Sequence, residues 1–360
     1  MKFGIFDHMD RGTVPLGEQY ESRLRLIEAY DRSGFYAYHV AEHHATPLGM
    51  APSPSVFLAA VAQRTRRLRF GPLVYPLPMY HPLRVAEEIC MLDHLSGGRL
   101  DVGIGRGVSP HEIEHYGVDP KQAQANYFEA FAVVIKALTS RTLDHAGQFY
   151  TFRDVPIELE PVQRPHPPLW YGVSDPASVA WAAQNRINVV CNGPLAMVRG
   201  VVERYHAEWR AAGNAASEIP LMAMTRHIVI AETDEQAMAI ARRAYARWYA
   251  SFILLWNRHG TKPFRAAYPD NFDDCARMGF GVAGTPETVR DALATQVAEA
   301  GINYFLCRVA FGDLSFAESL RSVELFTKEV MPALASLPPV GGGGERSEPG
   351  GGTFAGSEQE

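Results

Sequence analysis

The chain has 360 residues, 47% hydrophobic and 21% charged, with 34 basic against 40 acidic side chains and a net charge of −6. That composition excludes a disordered or fibrous protein, and the lack of a basic field argues against nucleic acid or an anionic membrane as partner. Cys90, Cys191, Cys275 and Cys307 lie far apart, with neither metal nor disulfide spacing, which predicts a reduced, cytoplasmic chain. Asp7 and Asp10 stand where a secretion signal needs an apolar stretch. The apolar run from Phe252 to Trp256 is far short of the ~20 residues of a membrane span.

In chain order, the first short apolar run is KFGIFD (2–7). EQYESRLRLIEAYDRSG (18–34) follows with helical periodicity, Leu24, Ile27 and Tyr30 sharing a face and Gly34 acting as a stop. AYHVAEH (37–43) and RLRFGPLVYP (67–76) are the next strands, then the helix PLRVAEEICMLDHLSGG (82–98), with Pro82 near its start and Gly97-Gly98 at its end. Five more strands follow: RLDVGIG (99–105), PLWYGVS (168–174), NVVCNG (188–193), LMAMTRHIVIA (221–231) and NYFLCRVAF (303–311). Strands alternating with helices predict a parallel sheet. Eight of them favour a single closed eight-stranded α/β (TIM) barrel over a doubly wound open sheet.

Two connections are too long for simple crossovers, from Gly107 to about Pro167 and from about Thr233 to Asn303. The second holds an aromatic helix, ARRAYARWYASFILLW (241–256), then a polar loop, NRHGTKPFRAAYPDNFDD (257–274), whose place in a barrel suits a lid. The Gly-, Ser- and Glu-rich end cannot bury enough surface to offset its ordering entropy. The expected organisation is one barrel over 1–338 and a disordered tail over 339–360.

Three segments carry candidate chemistry. AEHH (41–44) closes the second strand, and strand alternation puts His39, Ala41 and His43 on one side, Val40, Glu42 and His44 on the other. Histidines at a strand's C-terminal end suit proton transfer. His39 and His43 are four apart, which is helical and not strand ligand spacing, so a metal-dependent hydrolase is disfavoured. GIGRG (103–107) ends the fourth strand, its glycines allowing close backbone approach and Arg106 offering planar donors to a phosphate or carboxylate. It lacks both a P-loop ending and the third glycine of a dinucleotide fingerprint. GVSDPASVAWAA (172–183) leads into a helix that Ser174 or Asp175 suits as cap, with Ser178 in the first turn. Such an N-terminus favours a phosphate, which Asp175 would repel.

Together these segments resemble the bacterial luciferase-like superfamily of flavin-dependent monooxygenases. The similarity runs from MKFGIF through AEHH, is densest across HPLRVAEEICMLDHLSGGRLDVGIGRG (81–107) and HEIEHYGVD (111–119), and resumes at WYGVSDPASVAWAA, RHIVIAETDEQA (226–237) and GTPETV (284–289). The resemblance implies a flavin at the strands' C-terminal ends and usually a homodimer. It implies reduced FMN from a separate flavin reductase, and transfer of oxygen from O₂ to a small organic substrate such as an aldehyde through a flavin hydroperoxide. His43, with His44 beside it, falls at the proton-transfer position. Arg106 falls at the flavin phosphate, with Gly105 before it, and Ser174 and Ser178 complete that site. The third strand matches one carrying a non-proline cis peptide against the flavin ring, which places that bond between Leu73 and Val74. Two departures stand out: Gly105 where luciferase has cysteine, which argues against light emission, and about Gln124 where it has an arginine. A deazaflavin-dependent hydride-transfer enzyme of the same superfamily and a non-catalytic flavin-binding subunit are the alternatives.

Overall fold

The computed structural model describes residues 1–173, 175–263 and 268–336. The strands are β1 (Lys2–Asp7), β2 (Ala37–Val40), β3 (Arg69–Pro72), β4 (Tyr75–Pro76), β5 (Val102–Gly105), β6 (Thr142–Ala146), β7 (Thr151–Pro156), β8 (Leu169–Gly172), β9 (Asn188–Cys191), β10 (Met222–Ile230), β11 (Gly281–Gly284) and β12 (Tyr304–Arg308). Helices between and around them are α1 (Leu16–Arg32), α2 (Pro54–Arg64), α3 (Pro82–Ser96), α4 (Pro110–His115), α5 (Ala123–Thr139), α6 (Val179–Gln184), α7 (Leu195–Ala211), α8 (Asp234–Arg258), α9 (Phe272–Arg277), α10 (Pro286–Ala300), α11 (Phe316–Leu325) and α12 (Met331–Ala335). Pro82 opens α3 and Gly97 ends it at φ 65°, as the sequence predicts.

The main sheet runs β3-β2-β1-β12-β10-β9-β8-β5-β4, all parallel. β3 and β4 are two halves of one strand, interrupted at Leu73-Val74, where the peptide is cis. Phe70 of β3 bridges Leu100, just ahead of β5, so the sheet closes on itself. The result is the expected eight-stranded α/β barrel, with β11 as a further parallel strand beside His227–Ile230 of β10. All eight expected strands are present; β1 fills its apolar run and the other seven are shorter than theirs. The tail over 339–360 lies outside the described residues, and so do Ser174 and residues 264–267 of the expected lid loop.

Each barrel strand is buried on both faces, which is why it reads as a continuous apolar run. Along β12, Phe305 and Cys307 point into the layer beneath the helices, while Tyr304 and Leu306 point into the lumen with Phe6, Ala41, Leu73, Trp170, Val190 and Ala223. A separate aromatic cluster packs α8 over β10 and β11 through Ala241, Tyr245 and Trp248 against Phe280 and Phe311. The aromatic stretch of the second insertion is therefore fixed packing. The first insertion holds α4, α5 and the antiparallel hairpin β6–β7.

Two glycines of GIGRG answer to the neighbouring strand. A Cβ at Gly103 would stand 2.3 Å from the Pro72 carbonyl oxygen, and one at Gly105 2.6 Å from Val74 Cγ2. The third strand bulges into space that only glycine leaves free. Gly103→Ala is expected to destabilise the fold by about 1–3 kcal/mol, since it overpacks against backbone. Gly17→Ala is the control: nothing lies within 4 Å of its Cβ position. It should leave stability unchanged or raise it by up to about 1 kcal/mol. Denaturant melts of the pair decide, and equal losses would refute the close approach.

The loop after β1 is tied to the far end of the chain. Asp10 Oδ2 accepts from the Gly312 N–H at 2.7 Å, while Oδ1 has no partner. Burial pushes this carboxyl from its ordinary 3.8 up to about 7. Between those values the folded state holds a proton that the unfolded state has released. Its contribution to stability therefore falls as pH rises from about 4 to about 7. Asp10→Asn should flatten that slope and make the protein more stable than wild type at pH 8. Urea melts at pH 5 and pH 8 test this; an unchanged difference between the two pH values in the variant would remove Asp10 as the cause.

Candidate active site

The strands' C-terminal ends gather the candidate residues at one mouth of the barrel. β2 stops at Val40, so Glu42, His43 and His44 lie in the loop beyond it. The expected division of side chains nevertheless persists. His39 points into the lumen, within 3.3 Å of the Tyr304 hydroxyl, and burial pushes it down to about 3, so it is neutral. His44 points the other way. Its Nε2 lies 2.8 Å from Glu42 Oε1, and its Nδ1 lies 2.8 Å from the Tyr116 hydroxyl. Tyr80 donates to Glu42 Oε2 at 2.7 Å. One tautomer satisfies the whole set: Nε2–H donating to Glu42, and Nδ1 accepting from Tyr116. Both ring nitrogens of His44 are thereby engaged.

His43 is placed differently. Its Nδ1 lies 3.1 Å from Glu112 Oε1, and Oε2 of the same carboxylate accepts from the His44 backbone N–H at 3.0 Å. Glu112 stands in the first turn of α4, where Ser109 caps its N–H. The first insertion thus delivers a carboxylate that orients His43. Nε2 of His43 has no protein partner among the described residues, and the side chain borders a cleft lined by Glu42, Pro76, Met79, Val108 and Ile113. An imidazole held at one nitrogen and open at the other can accept and return a proton.

Arg106 follows β5 and is half-buried. Among the described residues, the hydrogen bond of its guanidinium is a 3.3 Å contact from Nε to the Gly107 carbonyl, which leaves the remaining N–H groups available to a ligand. Leu73 lies in the lumen core, Val74 is half-buried beside Gly105, and both flank the cis peptide. The turn after β8 is less accommodating. Asp175 is the cap, accepting from the Ala177 N–H at 2.9 Å, and Ser178 Oγ donates back to the Asp175 carbonyl at 2.7 Å.

Residue-by-residue reading of the sequence missed Glu112 and three further members of this mouth. His8 follows β1 and accepts from Trp248 Nε1 of α8 at 3.3 Å; its ring lies 5.6 Å from that of His43. His227 and Arg308 are register neighbours on β10 and β12. Burial, with Arg308 close by, holds His8 and His227 well below the ordinary histidine range, so both are neutral. Only the closed sheet brings residues 8, 227 and 308 together. A polar residue interrupting the end of a strand, as in RHIVIA and LCRVAF, is the mark that could have found them. No group of three or more potential metal ligands occurs among the described residues.

The family model for luciferase-like monooxygenases matches residues 1–304. The chain belongs to the luciferase-like monooxygenase family. Relatives of this luciferase-like chain include the uncharacterized protein y4wF of Sinorhizobium fredii, 44% identical over 92% of this chain and 96% of that protein. The oxygenase component of the flavin-dependent trigonelline monooxygenase of Acinetobacter baylyi is 30% identical, over 93% and 96% respectively. Among solved structures, the monooxygenase RslO1 of Streptomyces bottropensis superposes with a TM-score of 0.83 at 28% identity, over 92% of this chain and 99% of that one. The oxygenating constituent of 3,6-diketocamphane monooxygenase of Pseudomonas putida, in complex with FMN, gives 0.77 at 21% over 92% and 98%. The coenzyme F420 dependent tetrahydromethanopterin reductase of Methanopyrus kandleri gives 0.67 at 20% over 92% and 99%. At those last two identities the likeness concerns the fold alone. Among the described residues of this luciferase-like protein, no helix is long and apolar enough to cross a membrane.

Proposed function

We propose that this chain is the oxygenase component of a two-component flavin-dependent monooxygenase. The observation that carries the reading is the pairing, at one mouth of a closed barrel, of a half-buried arginine with uncommitted donors and a histidine with one open nitrogen. The residues present fit FMN. Arg106 would take the phosphate, and Leu73, Val74 and Gly105 would flank the ring system. Ser178 would join only by giving up its bond to Asp175, and Ser174 remains part of the proposed phosphate site on the resemblance alone. Asp175 disfavours an anion at that turn, so the reading rests the phosphate chiefly on Arg106.

Reduced FMN supplies the chemistry when bound, transferring one atom of O₂ to the substrate and releasing the other as water. The protein's own part is positional. Glu112 fixes His43 through Nδ1, and Nε2 holds or delivers a proton at the cleft. His44, Glu42, Tyr80 and Tyr116 form a satisfied network behind it that holds the loop in place. The aromatic cover from α8 keeps water from the mouth.

The Acinetobacter baylyi relative is an oxygenase component, which supports the reading that reducing equivalents reach this chain from a separate flavin reductase. The enzyme acts as a cytoplasmic homodimer on a small organic molecule, with one catalytic unit over residues 1–338. The test is an anaerobic titration with reduced FMN and, separately, reduced deazaflavin, followed by O₂-dependent product formation on a panel of aldehydes and ketones. Binding of FMN with incorporation of labelled oxygen is expected. Selective binding of deazaflavin with O₂-independent hydride transfer would overturn the reading in favour of the reductase alternative. Flavin binding without turnover on any substrate would favour a non-catalytic subunit.

A further inference from the structure

On the wall of the barrel facing Arg106 stands an arginine without a counter-ion among the described residues. β5 and β12 are four places apart around the ring of eight strands, so Arg106 and Arg308 mark opposite sides of the mouth. Arg308 is 2% exposed, no carboxylate pairs with it among the described residues, and its Nε has no hydrogen-bond partner. Its guanidinium lies 4.9 Å from the centroid of Phe6, 5.9 Å from Trp248 and 5.5 Å from Tyr268. Beside it His227 is fully buried, and neither ring nitrogen is hydrogen-bonded. Ring faces offset part of the cost of burying a cation, but they leave its Nε–H without an acceptor. A buried charge that lacks an opposite charge is costly to the fold unless something supplies one.

We propose that Arg308 and His227 form the recognition site for the carboxylate of the substrate, the rings of Phe6, Trp248 and Tyr268 holding the guanidinium in place. This deepens the oxygenase reading by naming the substrate class, a small organic acid, and rests on it only for the word substrate. A planar guanidinium matches a carboxylate in two parallel hydrogen bonds, and a neutral imidazole adds a single N–H donor. Across the mouth, Arg106 remains for the phosphate of the flavin, so the two anions have separate partners. His8 lies between the two sides, next to His43.

The test uses the full chain with and without reduced FMN, titrated calorimetrically with benzoate and with its neutral counterpart benzamide. Benzoate should bind wild type at least about tenfold more tightly than benzamide, the difference a charged bidentate contact confers. Arg308→Gln should reduce that preference to within about twofold while leaving reduced-FMN affinity within about threefold, because only the carboxylate contact is lost. Arg308→Gln should also melt at or above the wild-type temperature, since it removes an unpaired buried charge. Arg308→Lys, which keeps the charge but not the fork, should bind benzoate with intermediate strength.

Failure of wild type to bind benzoate, equal binding of both probes, or an undiminished preference in Arg308→Gln overturns the proposal. A loss of reduced-FMN affinity in that variant would assign Arg308 to the flavin instead. If Arg308→Gln fails to fold, Arg308→Lys decides: benzoate binding as tight as wild type would overturn the proposal. If wild type binds benzoate selectively but does not bind reduced FMN, the oxygenase reading fails while the carboxylate site stands.

Discussion

His43→Ala is expected to slow oxygenation by about 10²–10⁴-fold, the span that a positioned proton-transfer group contributes. Reduced-FMN affinity should change little, because His43 offers the flavin no charge-assisted contact in this reading. Stability should change little as well. The ring is held by a 3.1 Å contact with Glu112, and its loss leaves that carboxylate its bond from the His44 N–H. His44→Ala is the informative contrast. It removes a partner from buried Glu42 and from Tyr116, which should destabilise the fold by about 1–3 kcal/mol. Its effect on turnover at saturating flavin should be much smaller. Product formation and thermal melting, measured on both variants, separate the two roles. Equal losses of turnover in step with equal losses of stability would make His43 one more structural side chain of the loop.

Arg106→Ala is expected to weaken binding of reduced FMN by about 1.5–3 kcal/mol, the worth of a hydrogen bond to a charged group. Reduced riboflavin should bind wild type and variant alike, since it has no phosphate to lose. The variant should fold normally, because among the described residues Arg106 spends its guanidinium on no more than the 3.3 Å contact with the Gly107 carbonyl. Anaerobic fluorescence titration with both ligands gives the answer. If both weaken together, Arg106 shapes the mouth without meeting the phosphate.

The barrel was legible because burial on both faces writes each strand as an apolar run. The ends were not: AEHH remains buried past Val40 although the strand has stopped, so burial pattern alone extends it. β11, GVAG, escaped because it has only four small residues, and Val282 is its one β-branched side chain. The hairpin β6–β7 escaped because its strands are mostly exposed and polar. At the site, His43, Arg106 and the Leu73-Val74 peptide were readable because they sit in recognisable local patterns. Glu112, His8, His227 and Arg308 were not, since each acquires a neighbour only through the ring closure or the fold of an insertion. The glycines of GIGRG were readable as a close approach, but what approaches is the adjacent strand.

Closure of the ring between β1 and β12 also sets an order of events during synthesis. Lys2–Ile5 pair with Tyr304–Cys307, and Gly312 donates to Asp10. At ~5–20 residues per second, the roughly 300 residues between those partners take about 15–60 s to emerge. For that time one edge of the first strand has no neighbour, and β10 waits for the same partner. Both are apolar segments with open hydrogen-bonding groups, the kind of edge that pairs with other chains when left uncovered. The nascent protein is therefore most vulnerable to misassembly late in translation, and its yield is governed by how quickly the last barrel strand reaches the first.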